Sequence, residues 1–240
     1  DVVATTVASK PYGAREVVIR INGLDTPWGE ADLNMAATAG ADGIAVPKVV
    51  SAQQVHEIDS ALSQLGASTD LKLWVMVEMP LAILNIQEIA ACITTTRLYG
   101  FVLGTNDLAK EMLATPTPDR EAFKVAMNLT LMAARAYGLV AIDGVYNDFK
   151  NEPGFIAECE QSQILGFDGK SLIHPNQLAG ANQVFSPDAA EVEQAREVMA
   201  AFELPENQGK GVISVNGKMV ELLHLQQAQR LVSIADAIVT

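Results

Sequence analysis

The sequence predicts an α/β protein: a TIM-type barrel of βα units followed by a C-terminal helical extension. Short apolar runs that end in polar residues alternate with helical patterns along the chain, and the connections between them are short. One run, Leu71–Glu78, is apolar almost throughout, as expected of a strand buried on both faces. Pro80 ends this run because it has no N–H to donate to a sheet.

Six strands are predicted in the first part of the chain. They are Glu16–Asn22, Gly43–Lys48, Leu71–Glu78, Gly100–Leu103, Val140–Gly144 and Gly169–His174. Five helices lie between them, near residues 29–39, 51–65, 81–94, 119–137 and 152–165, each with apolar residues three and four positions apart. We therefore assign residues 1–184 to the barrel domain.

The character of the sequence changes after residue 184. A charged helical segment, Asp188–Glu203, is followed by a predicted short strand, Val212–Val215. Asn216–Gly217 predicts a type I′ hairpin turn, and Val220–Thr240 a closing helix. Residues 185–240 are expected to be too short for a core of their own and to pack on the barrel or on a neighbouring subunit.

The composition limits the classes of partner. With 240 residues and 49% hydrophobic side chains, the chain can bury a sizeable core. Its 16 basic and 29 acidic residues give a net charge of −13, which argues against nucleic acid or an anionic membrane as a partner. Cys92 and Cys159 form no metal or disulfide motif, so a reducing cytoplasm is expected. No apolar run approaches the roughly 20 residues that span a bilayer.

Polar side chains cluster at the C-terminal ends of the predicted strands. They are Arg20, Asn22, Lys48, Glu78, Thr105, Asn106, Asp107, Asp143, Asn147, Lys170 and His174. In a barrel, these ends converge on one cavity. Glu78 and Asp107 would face an Arg and a Lys there, a set that suits a divalent metal and an anionic substrate. Two structural alternatives stay open: Glu78 as a salt-bridged or capping carboxylate, and Asp107 as the cap of a helix that begins near Leu108.

Six motifs are specific when they are taken together. They are Arg20–Trp28, Val46–Lys48, Val77–Glu78, Leu103–Leu108, Gly166–Pro175 and Asn216–Val220. In this order they resemble the citrate lyase β-subunit-like family of CoA-ester lyases, which includes malyl-CoA, methylmalyl-CoA and citramalyl-CoA lyases. The resemblance implies a (β/α)8 barrel with a C-terminal extension, assembled as a homotrimer or homohexamer. It also implies that Mg²⁺ assists in cleaving or forming a C–C bond between a CoA thioester and a 2-oxo acid.

The resemblance also assigns roles to residues of this sequence. It implies that Glu78 and Asp107 bind Mg²⁺, and that Arg20 binds the substrate and takes part in catalysis. His174 lies in a segment that the family places near the thioester and the CoA arm, although a packed loop histidine is an open alternative.

Three further residues complete the predicted site. Lys48 and Lys170 are expected to bind the substrate. The family's acid/base Asp, which follows the GKM segment and comes from the adjacent subunit, is replaced here by Glu221. Glutamate is one methylene longer and has a similar reference pKa.

These inferences predict a Mg²⁺-dependent carbon–carbon lyase that acts on a 3-hydroxyacyl-CoA dicarboxylate such as malyl-CoA or citramalyl-CoA. One alternative is a CoA thioesterase that acts on the same substrates. Another is a non-catalytic accessory subunit with a vestigial barrel. A metal-dependent aldolase for free hydroxy-oxo acids would share the barrel and the carboxylates but not the GKM segment.

The first two strands of the family barrel have no counterpart in the sequence. Six strands would leave two open sheet edges. We therefore expect about 40–50 residues, carrying two more βα units, to precede Asp1 in the biological chain. The apolar positions of Asp1–Lys10 fit the end of a helix that leads into the first strand.

Overall fold

The computed structural model describes residues 2–9, 12–13 and 15–239, apart from the side chain of Val239. The chain divides into two compact units, unit 1 at residues 1–181 and unit 2 at residues 182–240. Unit 1 is built on a parallel sheet, whereas unit 2 contains helices and a β-hairpin. Among the described residues, no helix is both long and apolar enough to cross a membrane.

The sheet of unit 1 has six parallel strands in consecutive order. They are β1 (Val18–Arg20), β2 (Gly43–Val46), β3 (Lys72–Val77), β4 (Leu98–Leu103), β5 (Val140–Asp143) and β6 (Gly169–Lys170). Each strand pairs with the next, so within the described part of the chain β1 and β6 form the two edges. The predicted parallel α/β fold is confirmed, and the curled sheet with its helices is consistent with a TIM-like fold. The two further strands stay a prediction.

Every strand of this sheet except β4 is shorter than predicted, and beyond β1 and β6 side chains take over the backbone hydrogen bonds. After β1, the N–H of Asn22 donates to Asp32 Oδ2 at 3.0 Å, and the chain leaves the sheet. After β6, the N–H of Ile173 donates to Gln177 Oε1 at 3.0 Å, so the predicted extension to His174 does not form.

Helices lie before, between and after the strands of unit 1. They are α1 (Val2–Ala8), α2 (Gly29–Thr38), α3 (Ala52–Gln64), α4 (Pro80–Leu84), α5 (Ile86–Ala91), α6 (Thr105–Glu111), α7 (Lys124–Tyr137), α8 (Glu152–Leu165) and α9 (Gln177–Phe185). The helix expected near the start is confirmed as α1, although Asp1 and Lys10 lie outside the described residues. The helix predicted over 81–94 is broken at Asn85, whose side-chain amide donates to the carbonyl of Val50 at 2.9 Å.

The two faces of β3 have different surroundings. Leu73, Val75 and Val77 are fully buried and belong to the main apolar core of unit 1. Because side chains alternate along a strand, Trp74 lies on the opposite face, together with Met76 and Glu78. The Trp74 ring fills space left by glycines on both neighbouring strands: a Cβ on Gly43 or on Gly100 would lie within about 3.1 Å of ring atoms. Glu78 therefore lies at the C-terminal end of β3, on the same face of the sheet as Trp74.

Unit 2 contains two helices and one hairpin. They are α10 (Ala189–Glu203), β7 (Val212–Val215), β8 (Lys218–Glu221) and α11 (Leu222–Val239). The predicted type I′ turn is confirmed, since φ is 51° at Asn216 and 76° at Gly217. The closing helix begins at Leu222 instead of Val220, because Val220 pairs with Ile213 across the hairpin.

The helices and the hairpin of unit 2 enclose a small apolar cluster. It consists of the buried side chains Ala195, Val198, Ile213, Val220, Ala228 and Val232. The expectation that this segment is too short to have a core of its own is therefore wrong. The hairpin contributes because its β-strand alternation turns Ile213 and Val220 to the same face.

Candidate active site

Glu78 follows the last residue of β3 and is almost completely buried, with 3% of its surface exposed. Its Oε1 accepts a hydrogen bond of 3.0 Å from the backbone N–H of Lys48. Lys48 has a φ of 57°, in the left-handed region. Such a conformation costs a non-glycine residue on the order of 1–3 kcal/mol, and strain of this kind is typical of functional sites. The turn after β2 therefore holds a strained residue whose N–H orients the Glu78 carboxylate.

Gly104, which follows β4, leaves the space that Glu78 occupies. A Cβ at Gly104 would lie 2.7 Å from Glu78 Oε2 and closer still to Glu78 Cβ. No role was predicted for this glycine from the sequence. Its position between the apolar Leu103 and the polar run from Thr105 to Asp107 could have indicated that it borders the site.

Asp107 lies in the first turn of α6, three residues beyond Gly104. The helix begins at Thr105, so Asp107 is inside it and does not occupy the cap position that one structural alternative required. Its side chain is half-buried. A carboxylate in a first helical turn is stabilised by the helix dipole.

The charges of four residues act on one another at this edge of the sheet. Burial and, after it, the negative charge of Asp107 raise the pKa of Glu78. The hydrogen bond from Lys48, its positive charge and the charge of Arg20 oppose this rise in the Glu78 pKa. Arg20, the last residue of β1, is exposed, as is Lys48. The structure therefore brings together Arg20, Lys48, Glu78 and Asp107, as the sequence predicted.

Glu78 and Asp107, two nearby carboxylates that repel each other, are candidate ligands for a cation. Among the described residues, no group of three or more His, Cys, Asp or Glu side chains could hold a metal ion. Mg²⁺ binds oxygen ligands, keeps several of its waters and needs only one or two protein carboxylates. The donor set of Glu78 and Asp107 therefore fits Mg²⁺ better than a metal that requires a complete protein cage.

Lys170 is the last residue of β6 and lies in a buried cluster, where its side chain has no exposed surface. Its ammonium donates to Asp143 Oδ2 at 2.8 Å, to the carbonyl of Gly144 at 2.7 Å and to Glu158 Oε1 at 2.6 Å. All three N–H donors of the ammonium therefore have protein acceptors. In this arrangement Lys170 has no N–H donor left for the substrate that it was predicted to bind, because all three donors are bonded within unit 1.

Asp143 is the centre of this cluster. Its Oδ2 also accepts hydrogen bonds from Arg120 Nη1 at 2.6 Å and from Ser162 Oγ at 2.5 Å. Burial alone would raise the pKa of Asp143, but the charges of Lys170 and Arg120 outweigh it, so the pKa is lowered. Asp143 therefore stays ionised, and the cluster ties β5 and β6 to α8.

His174 lies beyond β6 and stacks on Phe149, with ring centroids 4.5 Å apart and an angle of 9° between the planes. Its Nδ1 accepts a hydrogen bond of 3.2 Å from the N–H of Asn176. Phe149 is 40% exposed, so one side of the pair faces solvent. This geometry matches the alternative of a packed loop histidine, and contact with CoA stays a prediction.

Glu221 belongs to unit 2, where it ends β8 and is half-buried. Its backbone N–H donates to Nδ1 of His224 at 2.9 Å. The two residues are therefore neighbours, with Glu221 in the strand and His224 in the first turn of α11. The acid/base role of Glu221 stays a prediction.

Neither cysteine is a ready nucleophile. Both thiols are free and buried. Burial raises the pKa of Cys92, and it raises the pKa of Cys159 to about 11. A thiol must lose its proton to attack a carbonyl carbon, so chemistry through a cysteine intermediate is disfavoured at neutral pH.

Comparisons with known proteins agree with the geometry. The model of the HpcH/HpaI aldolase/citrate lyase family matches residues 1–175. A (3S)-malyl-CoA thioesterase from Cereibacter sphaeroides is 49% identical over 98% of this chain and 79% of its own length. A citrate lyase subunit β from Leuconostoc mesenteroides subsp. cremoris is 38% identical over 94% of this chain and 76% of its own length.

A solved structure shows the same fold. The CitE protein of Mycobacterium tuberculosis, in complex with magnesium, acetoacetate and coenzyme A, has a TM-score of 0.70 and 25% sequence identity. The match covers 97% of this chain and 83% of that protein. The predicted likeness to the citrate lyase β-like family is confirmed.

The comparisons overturn the predicted carbon–carbon lyase. Identity to the thioesterase, at 49%, exceeds identity to the citrate lyase subunit, at 38%. The motifs at the strand ends could not separate the two reactions, because both need a bound CoA ester of an anionic acid.

Proposed function

Since the chain belongs to the HpcH/HpaI aldolase/citrate lyase family, we propose that it hydrolyses (3S)-malyl-CoA or a closely similar CoA ester of a dicarboxylic acid. The observation behind the proposal is the 49% identity, over 98% of the chain, to a (3S)-malyl-CoA thioesterase. In this reaction water adds to the thioester carbonyl and the C–S bond breaks. The products are the free acid and CoA, whose sulfur takes up a proton.

Glu78 and Asp107 are proposed to bind Mg²⁺. Burial and, after it, the charge of Asp107 raise the pKa of Glu78, and a bound cation would offset both effects. The magnesium, acetoacetate and coenzyme A in the CitE structure support this assignment. When bound, Mg²⁺ supplies a Lewis acid that polarises a carbonyl oxygen.

Arg20 and Lys48 are proposed to bind the negative oxygens of the acyl group. Both side chains are exposed at the edge where Glu78 is buried. Arg20 offers a planar pair of N–H donors that matches a carboxylate, while Lys48 adds a point charge. Their positive charges also favour an anionic substrate over the thioester of an uncharged acid.

Glu221 is proposed as the general base that takes a proton from the attacking water. Its match to the acid/base position of the family motif supports this role. The reference pKa of glutamate is also similar to that of the aspartate that it replaces. We also propose that His174 lies near the CoA arm.

We also propose that the protein forms a homotrimer or homohexamer in the cytoplasm. The free cysteines are compatible with a reducing compartment. Met219, Leu222 and Leu223 of unit 2 are at least 48% exposed, as expected of a surface that contacts another subunit. Analytical ultracentrifugation would measure the oligomeric state.

The decisive experiment separates hydrolysis from C–C cleavage. The protein is incubated with (3S)-malyl-CoA and Mg²⁺, and free thiol and 2-oxo acid are measured in parallel. We expect thiol without 2-oxo acid, and no thiol release by the Asp107→Ala variant. Stoichiometric release of 2-oxo acid together with an acyl-CoA, and no thiol, would overturn the proposal.

A further inference from the structure

Two side-chain amides form a reciprocal pair beside the carboxylate site. Asn106 Nδ2 donates to Asn147 Oδ1 at 3.1 Å, and Asn147 Nδ2 donates to Asn106 Oδ1 at 2.7 Å. Asn106 precedes Asp107 in the first turn of α6, while Asn147 lies in the loop after β5. The pair therefore ties the start of α6 to the neighbouring strand end.

Backbone packing beneath the pair holds the same two segments together. A Cβ on Gly144 would lie 2.9 Å from Thr105 Oγ1 and 3.1 Å from the carbonyl oxygen of Leu103. The ammonium of Lys170 also holds Gly144 through a hydrogen bond of 2.7 Å to its carbonyl. The loop that carries Asn147 therefore begins at Gly144, which is held by packing and by a hydrogen bond.

We propose that Asn147 is a positioning residue for the metal site. By holding Asn106 through two hydrogen bonds, it fixes the first turn of α6 and thereby the direction of the Asp107 carboxylate. The inference rests on the proposed function in one respect, because it takes Asp107 as a ligand of Mg²⁺. Mg²⁺ demands near-ideal octahedral geometry, so a small rotation of this turn weakens binding.

The chemistry of an amide pair suits this task. Each amide offers a donor and an acceptor, so the two can satisfy each other without an ion. The pair is neutral and adds no charge next to Glu78 and Asp107, whereas a Lys or Asp in place of Asn147 would alter the field that the cation experiences. Both asparagines are exposed, so the stability of unit 1 does not depend on burying them.

The test is a double-mutant cycle with Mg²⁺ affinity as the readout. Asn106→Ala, Asn147→Ala and the double variant are titrated with MgCl₂ by calorimetry, and their Tm values are measured by circular dichroism. A hydrogen bond between neutral groups has a modest net worth, so we expect each single change to weaken Mg²⁺ binding about 3–10-fold at nearly unchanged Tm. The double variant should be no weaker than the single ones, because either change breaks the whole pair.

A matched control removes an amide that plays no part in the site. Asn128 is exposed on α7 and its Nδ2 donates to the carbonyl of Lys124 at 2.7 Å, so Asn128→Ala should leave Mg²⁺ affinity unchanged. Unchanged affinity in Asn147→Ala, or single effects that multiply in the double variant, would overturn the inference while leaving the thioesterase proposal in place. Failure of the wild-type protein to bind Mg²⁺ would overturn the metal assignment and this inference together.

Discussion

Gly104 is the position where a single methyl group tests the geometry of the carboxylate site most directly. In Gly104→Ala the new Cβ would lie 2.7 Å from Glu78 Oε2 and closer to Glu78 Cβ, so the Glu78 side chain must move. The backbone of Gly104 has a φ of −113°, which an alanine can adopt. The effect therefore comes from the contact with Glu78 and not from the main chain.

The magnitude follows from two opposing terms. Overpacking a filled site costs about 1–3 kcal/mol, while replacing a glycine stabilises by about 0.4–1 kcal/mol through the unfolded chain. The middle of each range gives a net loss of about 1.3 kcal/mol, which corresponds to a Tm decrease of about 3–5 °C for a chain of this size. Displacement of Glu78 should also weaken Mg²⁺ binding about 10–100-fold, as changes around metal ligands commonly do.

Thermal melts and Mg²⁺ calorimetry on the same preparations measure both effects. Gly211→Ala is the matched control, because a Cβ there meets nothing within 4 Å. The control should keep the wild-type Mg²⁺ affinity and a Tm equal to or slightly above that of the wild type. A Gly104→Ala variant with wild-type Tm and Mg²⁺ affinity would refute the close approach of Gly104 to Glu78 and the role of Glu78 as a ligand.

Three other changes probe the charged groups. Burial and, after it, the charge of Asp107 raise the pKa of Glu78 in the folded protein. Protonated Glu78 therefore stabilises the fold, and this stability is lost as pH rises from the unfolded pKa of about 4.3 through the higher folded pKa. Without Mg²⁺, Glu78→Gln should therefore be more stable than the wild type in urea at pH 7, with a gain that shrinks toward pH 4; no gain at pH 7 would contradict this. Arg20→Lys should lose nearly as much kcat/KM as Arg20→Ala, because a point charge cannot replace a planar fork; wild-type kinetics would count against that contact. Glu221→Gln should lower kcat about 10²–10⁴-fold with little change in KM if it is the base, and an unaltered kcat would remove Glu221 from the mechanism.

Much of unit 1 could be predicted because its determinants are local. The apolar runs predicted all six strands, and the polar residues that follow them predicted that Glu78 and Asp107 lie near Arg20 and Lys48. The hairpin of unit 2 was equally local, since Asn216 and Gly217 tolerate the positive φ that its turn requires. Such features depend on a few adjacent residues.

Features that depend on partners far along the chain were not predictable. The burial of Lys170 requires Asp143 and Glu158, and nothing in the sequence around Lys170 indicates these partners. The left-handed backbone of Lys48 likewise follows from the need to direct an N–H at Glu78, thirty positions later in the sequence. The predicted carbon–carbon lyase was wrong because hydrolysis and C–C cleavage share the groups that bind substrate, so these groups do not distinguish the two reactions.

The consecutive order of the strands has a consequence for how unit 1 is made. Val18 pairs with Gly43, Gly43 pairs with Lys72, and each later strand adds beside the one before it. As a nascent chain leaves the ribosome N-terminus first, every new strand meets a partner that has already emerged. The sheet can therefore grow one βα unit at a time during synthesis, and the Asp143–Lys170 ion pair closes only when the last strand has been translated.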